Sequence, residues 1–273
     1  MSVPAIVYKY RQISPQTETL ISKREIYFPL ASEINDPFDC RIVLNREAPP
    51  ETLWEMTKAH YSKKFSLSDE EDIIYHMLLE SAPNRAQVTR AMATEIIREK
   101  KWMSLINHIE AGNENLLRTR LAKTRLCSLS AVRDNLLMWS HYAYYHTGIC
   151  LGFRTENTIF QHVKPVEYLS EYPKVSSYSV DDDTYIRYSL FSKAKDWSYE
   201  HEWRIVLTDA DRIVNPVHHF APDALMELVF GCQCKKIDRL QVQLWLSSGG
   251  MSPILYEAVP RRNEFALDIH QLD

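Results

Sequence analysis

Trp197-Ser-Tyr-Glu-His-Glu-Trp-Arg-Ile-Val-Leu207 is the stretch on which the reading of the fold turns. Its second half alternates charged and apolar residues, the period of a strand with one face against a core. That period predicts Glu200, Glu202 and Arg204 on one face, with His201 and Trp203 on the other. Toward the C-terminus follow a strand at 228–230, a helix over 235–246, and strands at 253–256 and 265–268. Toward the N-terminus lie a helix carrying Tyr185, Tyr188, Leu190 and Phe191, and a strand at 163–168 confined to an edge by Pro165. Before them come a buried strand, Gly148-Ile-Cys-Leu-Gly-Phe153, and a helix from 136 to 143 capped by Asp134-Asn135. Short strands at 125–128, 25–28 and 5–10, with a helix at 16–22, complete the pattern. Helices mix with strands in no repeating order, so the expectation is one α+β domain over 1–273 rather than a doubly wound α/β fold.

Residues 46–123 break the pattern. Val88, Met92, Ile96, Met103 and Ile106 recur at helical spacing, and Pro49-Pro50, Pro83 and Gly112 divide the stretch into three or four helices. Twelve Lys/Arg face twelve Asp/Glu here, so the segment is neutral. It reads as a helical insertion whose apolar stripe is core; a groove for a partner protein is the alternative.

Composition excludes several classes. The net charge of -4 offers no basic field for nucleic acid or an anionic membrane. No apolar run reaches the roughly 18 residues of a membrane span. Only six glycines occur, and none cluster as a P-loop or a GxGxxG turn requires, so nucleotide binding of those two kinds is excluded. Five cysteines, an odd number without a secretion signal, point to a reducing cytoplasm and buried thiols. Cys232-x-Cys234 lacks zinc-knuckle spacing, so no metal is expected there.

Polar and aromatic residues cluster at Tyr8-Lys9-Tyr10-Arg11, at Trp139-Ser140-His141-Tyr142 and at Tyr199-Glu200-His201-Glu202. A turn, Asn35-Asp-Pro-Phe-Asp39, gathers Asn35, Asp36 and Asp39 around one aromatic residue directly after a strand. Carboxylates two apart on a strand are ordinarily solvated charges, but Trp197, Tyr199 and Trp203 beside them favour a pocket. His141 reads equally as a hydrogen-bonded helix histidine, and its spacing to His146 does not suit zinc. The expectation is that Glu202, Tyr10 and His141 line one cleft.

In order, these motifs and the later Val229-Phe-Gly-Cys232 resemble the bacterial domain-of-unknown-function 2971 family across 6–272. That resemblance implies a cytoplasmic bacterial protein, often encoded near phage defence, with no settled activity. A more distant likeness joins Ile6-Val-Tyr-Lys-Tyr-Arg11 and the run from His201 to DNA-targeting ADP-ribosyltransferase toxins. It implies an ADP-ribosyltransferase-like mixed β core and NAD as substrate, with ADP-ribose passed to nucleic acid, protein or water. By that match Glu202 falls on the catalytic carboxylate and Glu200 orients the acceptor. Lys9 and Arg11 then bind phosphates, and Tyr10, Tyr142 and His141 hold the cofactor. Two other readings stand beside it: a non-catalytic sensor or effector-binding module, and a metal-dependent nuclease built from Asp36, Asp39, Glu202 and Lys195.

Overall fold

A computed structural model describes residues 2–41, 43–45, 50–82, 84–101, 104–105, 107, 119, 121–176, 182–208 and 215–272. In chain order the first elements are β1 (Ile6–Arg11), α1 (Pro15–Ser22), β2 (Glu25–Tyr27) and β3 (Val43–Asn45). Three helices follow, α2 (Pro50–Phe65), α3 (Glu70–Ser81) and α4 (Arg90–Glu99). Next come β4 (Arg125–Ser130), α5 (Leu136–Tyr142), β5 (Ile149–Arg154), β6 (Lys164–Pro165), β7 (Glu167–Leu169) and β8 (Lys174–Ser176). Then α6 (Asp182–Phe191) leads to β9 (Ser192–Ala194) and β10 (Glu202–Leu207). The chain ends with β11 (Val217–His219), β12 (Leu225–Phe230), α7 (Lys236–Ser248), β13 (Ile254–Pro260) and β14 (Leu267–Gln271).

These elements form two units. The first comprises Met1–Cys40, Lys123–Glu171 and Phe191–Asp273 and holds an eight-stranded sheet in the order β14-β13-β12-β5-β1-β4-β10-β6. Its pairs are antiparallel except β12 with β13, which run parallel on either side of α7. Pro165 lies in β6 at the sheet's edge, where a residue without an N–H breaks no ladder. The fold is therefore mixed α/β around a large, mostly antiparallel sheet.

Register divides the polar from the apolar side chains of this sheet. Glu202 lies opposite Ser130, Ser130 opposite Tyr8, Tyr8 opposite Gly152, and Gly152 opposite Glu227. Directly opposed residues share a face, so this row crosses five strands on one side. A Cβ on Gly152 would lie 2.6 Å from Glu227 Cγ, so the glycine makes room for that carboxylate. On this face α5 buries Met138 and Trp139 with Tyr10, Cys150 and Val229. Asn135 starts α5, its Oδ1 accepting from the backbone N–H of Leu137 and Met138 at 2.9 and 3.1 Å. The other face carries Val7, Leu129, Leu151, Trp203 and Ile205 into the main core, with Leu20 and Ile21 of α1 and Val242, Trp245 and Leu246 of α7.

The second unit comprises Arg41–Ala122 and Tyr172–Leu190. Leu53, Trp54, Tyr61, Ile73, Ile74, Met77, Leu78, Ala93 and Leu105 form its own core around α2, α3 and α4. Val88 and Ile96 of the expected stripe pack against that core, whereas Met92 is exposed; Met103, Ile106 and Gly112 lie outside the described residues. Residues 172–190, which the sequence assigns to the surrounding domain, also belong here, with β8 pairing parallel to β3. A helical period cannot reveal such a return, because pairing with a distant strand leaves no local mark.

Candidate functional site

Glu202 and Arg204 point to the same side of β10, as period two requires, and Trp203 points into the opposite core. The alternation starts at Glu202, two residues later than the sequence predicts. Residues 195–200 form a 3₁₀ turn, and His201 takes a left-handed φ of 44°, so Glu200 is not in the strand. That reversal, not strand alternation, swings Glu200 back toward Glu202. Ser130 Oγ fastens the turn by donating to the Glu200 carbonyl at 2.6 Å.

The side chains converge on a buried five-charge cluster. Arg204 donates from Nε to Glu202 Oε1 at 2.7 Å and from Nη2 to Glu202 Oε2 at 3.0 Å. It also donates from Nη1 to Asp39 Oδ1 at 3.0 Å, and its Nη2 reaches Asp39 Oδ2. The guanidinium thus lies between two carboxylates, each held in a two-point fork. Lys193 of β9 donates to Glu200 Oε2 at 2.6 Å and to Glu202 Oε2 at 3.1 Å, and lies 3.9 Å from Asp39 Oδ2. Its Nζ also sits 4.9 Å from the centre of the Trp197 ring. All five side chains are at most 5% exposed.

Three carboxylates against two cations leave one negative charge in surplus when all five are ionised. The surplus falls unevenly. Burial opposes the charge of Glu202, but Arg204 and then Lys193 overcome it and hold this carboxyl well below the usual range. Burial dominates at Glu200, with Lys193 opposing and Glu202 adding to it, so its pKa is raised. Of the two neighbouring carboxyls Glu200 therefore takes up a proton first as pH falls, and Glu202 keeps its charge longest.

Tyrosines and a histidine surround Glu200. Tyr142 donates to Glu200 Oε1 at 2.6 Å, and His141 Nδ1 lies 3.0 Å from Tyr199 Oη. Tyr168 Oη accepts the Glu202 backbone N–H at 2.7 Å. The Trp197 and Tyr199 rings are 6.0 Å apart, and Asn35 is exposed beside Tyr142. Of the expected site residues, Asp39, His141, Tyr142, Trp197, Tyr199, Glu200, Glu202 and Arg204 therefore come together. Asp36 serves its own turn instead, its Oδ1 accepting from the Phe38 N–H at 2.9 Å.

Four expected residues lie elsewhere. Trp139 has no exposed surface, and its indole N–H donates to the Arg133 carbonyl, so it is core. Tyr10 is also core, with its hydroxyl on the Val132 carbonyl and its ring edge-on to Trp139. Lys9 and Arg11 alternate with Tyr8 and Tyr10 along β1, which puts them on the opposite face of the sheet from Glu202. The single cleft expected to join Tyr10, His141 and Glu202 does not form, because Tyr10 and Glu202 are both closed over.

The nuclease arrangement is also corrected. Asp39 and Glu202 spend their oxygens on Arg204, and the lysine they meet is Lys193, while Lys195 is exposed. Among the described residues no group of three His, Cys, Asp or Glu is placed to hold a metal. Sequence reasoning missed Lys193 and Tyr168. The signal for Lys193 was its position directly after Leu190-Phe-Ser192, where an apolar approach marks a cation carried inward. Tyr168 gave no such signal.

None of the helices among the described residues is long and apolar enough to cross a membrane. Neither a curated protein nor a solved structure matches the chain. Residues 138–205, which hold every member of the cluster except Asp39, match the family model described as Protein of unknown function (DUF2971), and over that segment the resemblance to this family is shown.

Proposed function

We propose that the Glu200 cluster is the reaction centre of an ADP-ribosyltransferase-like enzyme that cleaves NAD and passes ADP-ribose to a macromolecule or to water. The observation that carries this reading is the surplus negative charge, buried and centred on the carboxylate with the raised pKa. Cleaving a nicotinamide–ribose bond develops an oxocarbenium-like cation, and a preorganised anion in a dry site stabilises it more than water does. Glu200 supplies that anion, while Glu202, held low by Arg204, fixes Lys193 and sets the field. Glu200 thus takes the catalytic role that the sequence resemblance implies for Glu202. Tyr142 Oη occupies the position on Glu200 Oε1 that a ribose hydroxyl would take, and Trp197, Tyr199 and His141 supply rings for the nicotinamide. Nucleic acid is the acceptor that the toxin resemblance favours, and defence against phage or toxicity is the setting.

A second reading rests on another observation: Glu202 and Asp39 are already satisfied by Arg204. On that reading the cluster is a structural lock, and the rim binds an effector without chemistry. Free nicotinamide released from NAD by the whole protein separates the two. The enzyme reading expects turnover that Glu200→Gln lowers by roughly two orders of magnitude, with NAD binding little changed. A folded Glu200→Gln protein that releases nicotinamide at the original rate ends the catalytic assignment. Binding of NAD without any release by the unaltered chain leaves the effector module.

A further inference from the structure

Lys9 and Arg11 are two cations that the reaction centre does not use, and they line one cavity of about 360 Å³ on the opposite face of the sheet. The cavity lies between β1, α1 and the β2–β11 pair, with Leu20, Tyr27 and Val217 in its wall. Several other arginines of this unit have carboxylates: Arg133 has Glu227, Arg154 has Asp223, and Arg239 has Glu257. Among the described residues neither Lys9 nor Arg11 has one within 4.0 Å. Lys9 donates to the Ser128 carbonyl at 3.0 Å and to Cys127 Sγ at 3.5 Å. Arg11 makes a single long contact, from Nε to Thr17 Oγ1 at 3.4 Å, which leaves its terminal nitrogens without a protein acceptor. Burial lowers the pKa of Arg11 and Cys127 opposes it, so its charge is held there at a cost that no carboxylate among the described residues offsets. The acidic residue of the wall, Glu25, has His219 Nε2 3.8 Å away.

We propose that this cavity is a binding site for a small organic oxyanion, whose carboxylate or phosphate head meets Arg11 and Lys9. The open end of the Arg11 guanidinium matches two oxygens of either head in a fork. Against Lys9 and Arg11, Glu25 leaves the wall one positive charge in surplus, which selects an anion over a neutral or cationic ligand. The apolar wall and the Tyr27 ring take the body of the ligand. A volume of about 360 Å³ lies near the small end of ligand pockets, which suits a single ring with its head group and excludes a dinucleotide. The site stands whether or not the Glu200 cluster is catalytic.

Calorimetric titration and thermal melting of the whole chain with benzoate and with phenyl phosphate test it, and the better ligand identifies the head. Saturable one-to-one binding of at least one anion is expected, with none for the neutral rings benzamide and phenol. Arg11→Gln weakens that binding about tenfold or more, the scale of losing a charge-assisted pair, and Lys9→Gln weakens it less. Should Arg11→Gln fail to fold, Val217→Phe, which fills the cavity and touches neither charge, is expected to abolish binding. Neither anion bound at about 10 mM, or affinity unmoved by Lys9→Gln and Val217→Phe, overturns the proposal.

Discussion

On the Glu202 face of the sheet two buried cations meet three carboxylates, whereas on the α1 face Lys9 and Arg11 meet none. The backbone that carries both is one antiparallel ladder, and period two alone decides which side a residue serves. Lys193 and Arg204 are tied into a network whose removal strands buried anions. Lys9 and Arg11 hold loose ends, so their removal strands nothing. The difference separates a charge that the fold depends on from a charge that the fold only tolerates.

The largest expected effect breaks or upholds that contrast directly. Arg204→Met leaves Asp39 and Glu202 buried against an apolar chain and is expected to destabilise the protein by about 3–5 kcal/mol. Arg11→Gln removes a partly desolvated cation with no carboxylate and is expected to change stability by less than about 1 kcal/mol. Urea unfolding of the two variants measures both. Equal losses would mean that Arg11 is as deeply networked as Arg204, and the contrast between the faces would go.

A smaller effect appears in the pH dependence of stability. Glu202 has a folded pKa below its ordinary value of 4.5, so its contribution is present above that value and is lost as pH falls toward the folded pKa. Glu200 has a folded pKa above 4.5, so the unfolded chain gives up that proton first. Stability therefore also falls as pH rises from 4.5 through the folded pKa of Glu200. Glu200→Gln is expected to remove the fall on the alkaline side and to keep the fall on the acid side. Denaturation midpoints measured across pH decide it: a variant that still loses stability as pH rises through this window would move the surplus charge away from Glu200.

Much of the fold was legible because burial leaves a period. The strands around Gly148–Phe153, 202–207 and 228–230, the helix capped by Asn135, and the edge strand with Pro165 were readable from alternation, caps and proline chemistry. Contacts that join distant segments left no such mark. Residues 172–190 join the second unit, where β8 pairs with β3, although nothing in their own pattern says so. The cluster divided along the same line. Glu202 and Arg204 were visible as charges within an apolar strand, but a left-handed His201 decided where Glu200 points. Lys9 and Tyr10 are adjacent in sequence, and adjacency suggested one site; in a strand it means opposite faces.

The smallest effect concerns a single hydroxyl and tests whether the two faces are independent. Tyr142 donates to Glu200 Oε1 at 2.6 Å, and this bond lowers the pKa of Glu200 against the effect of burial. Tyr142→Phe keeps the ring and removes the donor, so the Glu200 anion loses support and its pKa climbs further. The loss of stability on the alkaline side should then extend to higher pH, because the folded protein holds its proton longer. At neutral pH the cost is about 1 kcal/mol, the net worth of one hydrogen bond. If Tyr142 keeps the position of a ribose hydroxyl, its loss vacates that position and spares nicotinamide release, whereas Glu200→Gln lowers it by roughly two orders of magnitude. Oxyanion binding at Arg11 should be unchanged, since Tyr142, bonded to Glu200, and Arg11, bonded to Thr17, share no polar partner. A Tyr142→Phe variant that titrates like the unaltered protein would mean that the hydroxyl does not tune Glu200. One that weakens benzoate or phenyl phosphate binding would mean that the two faces are coupled through the strands between them.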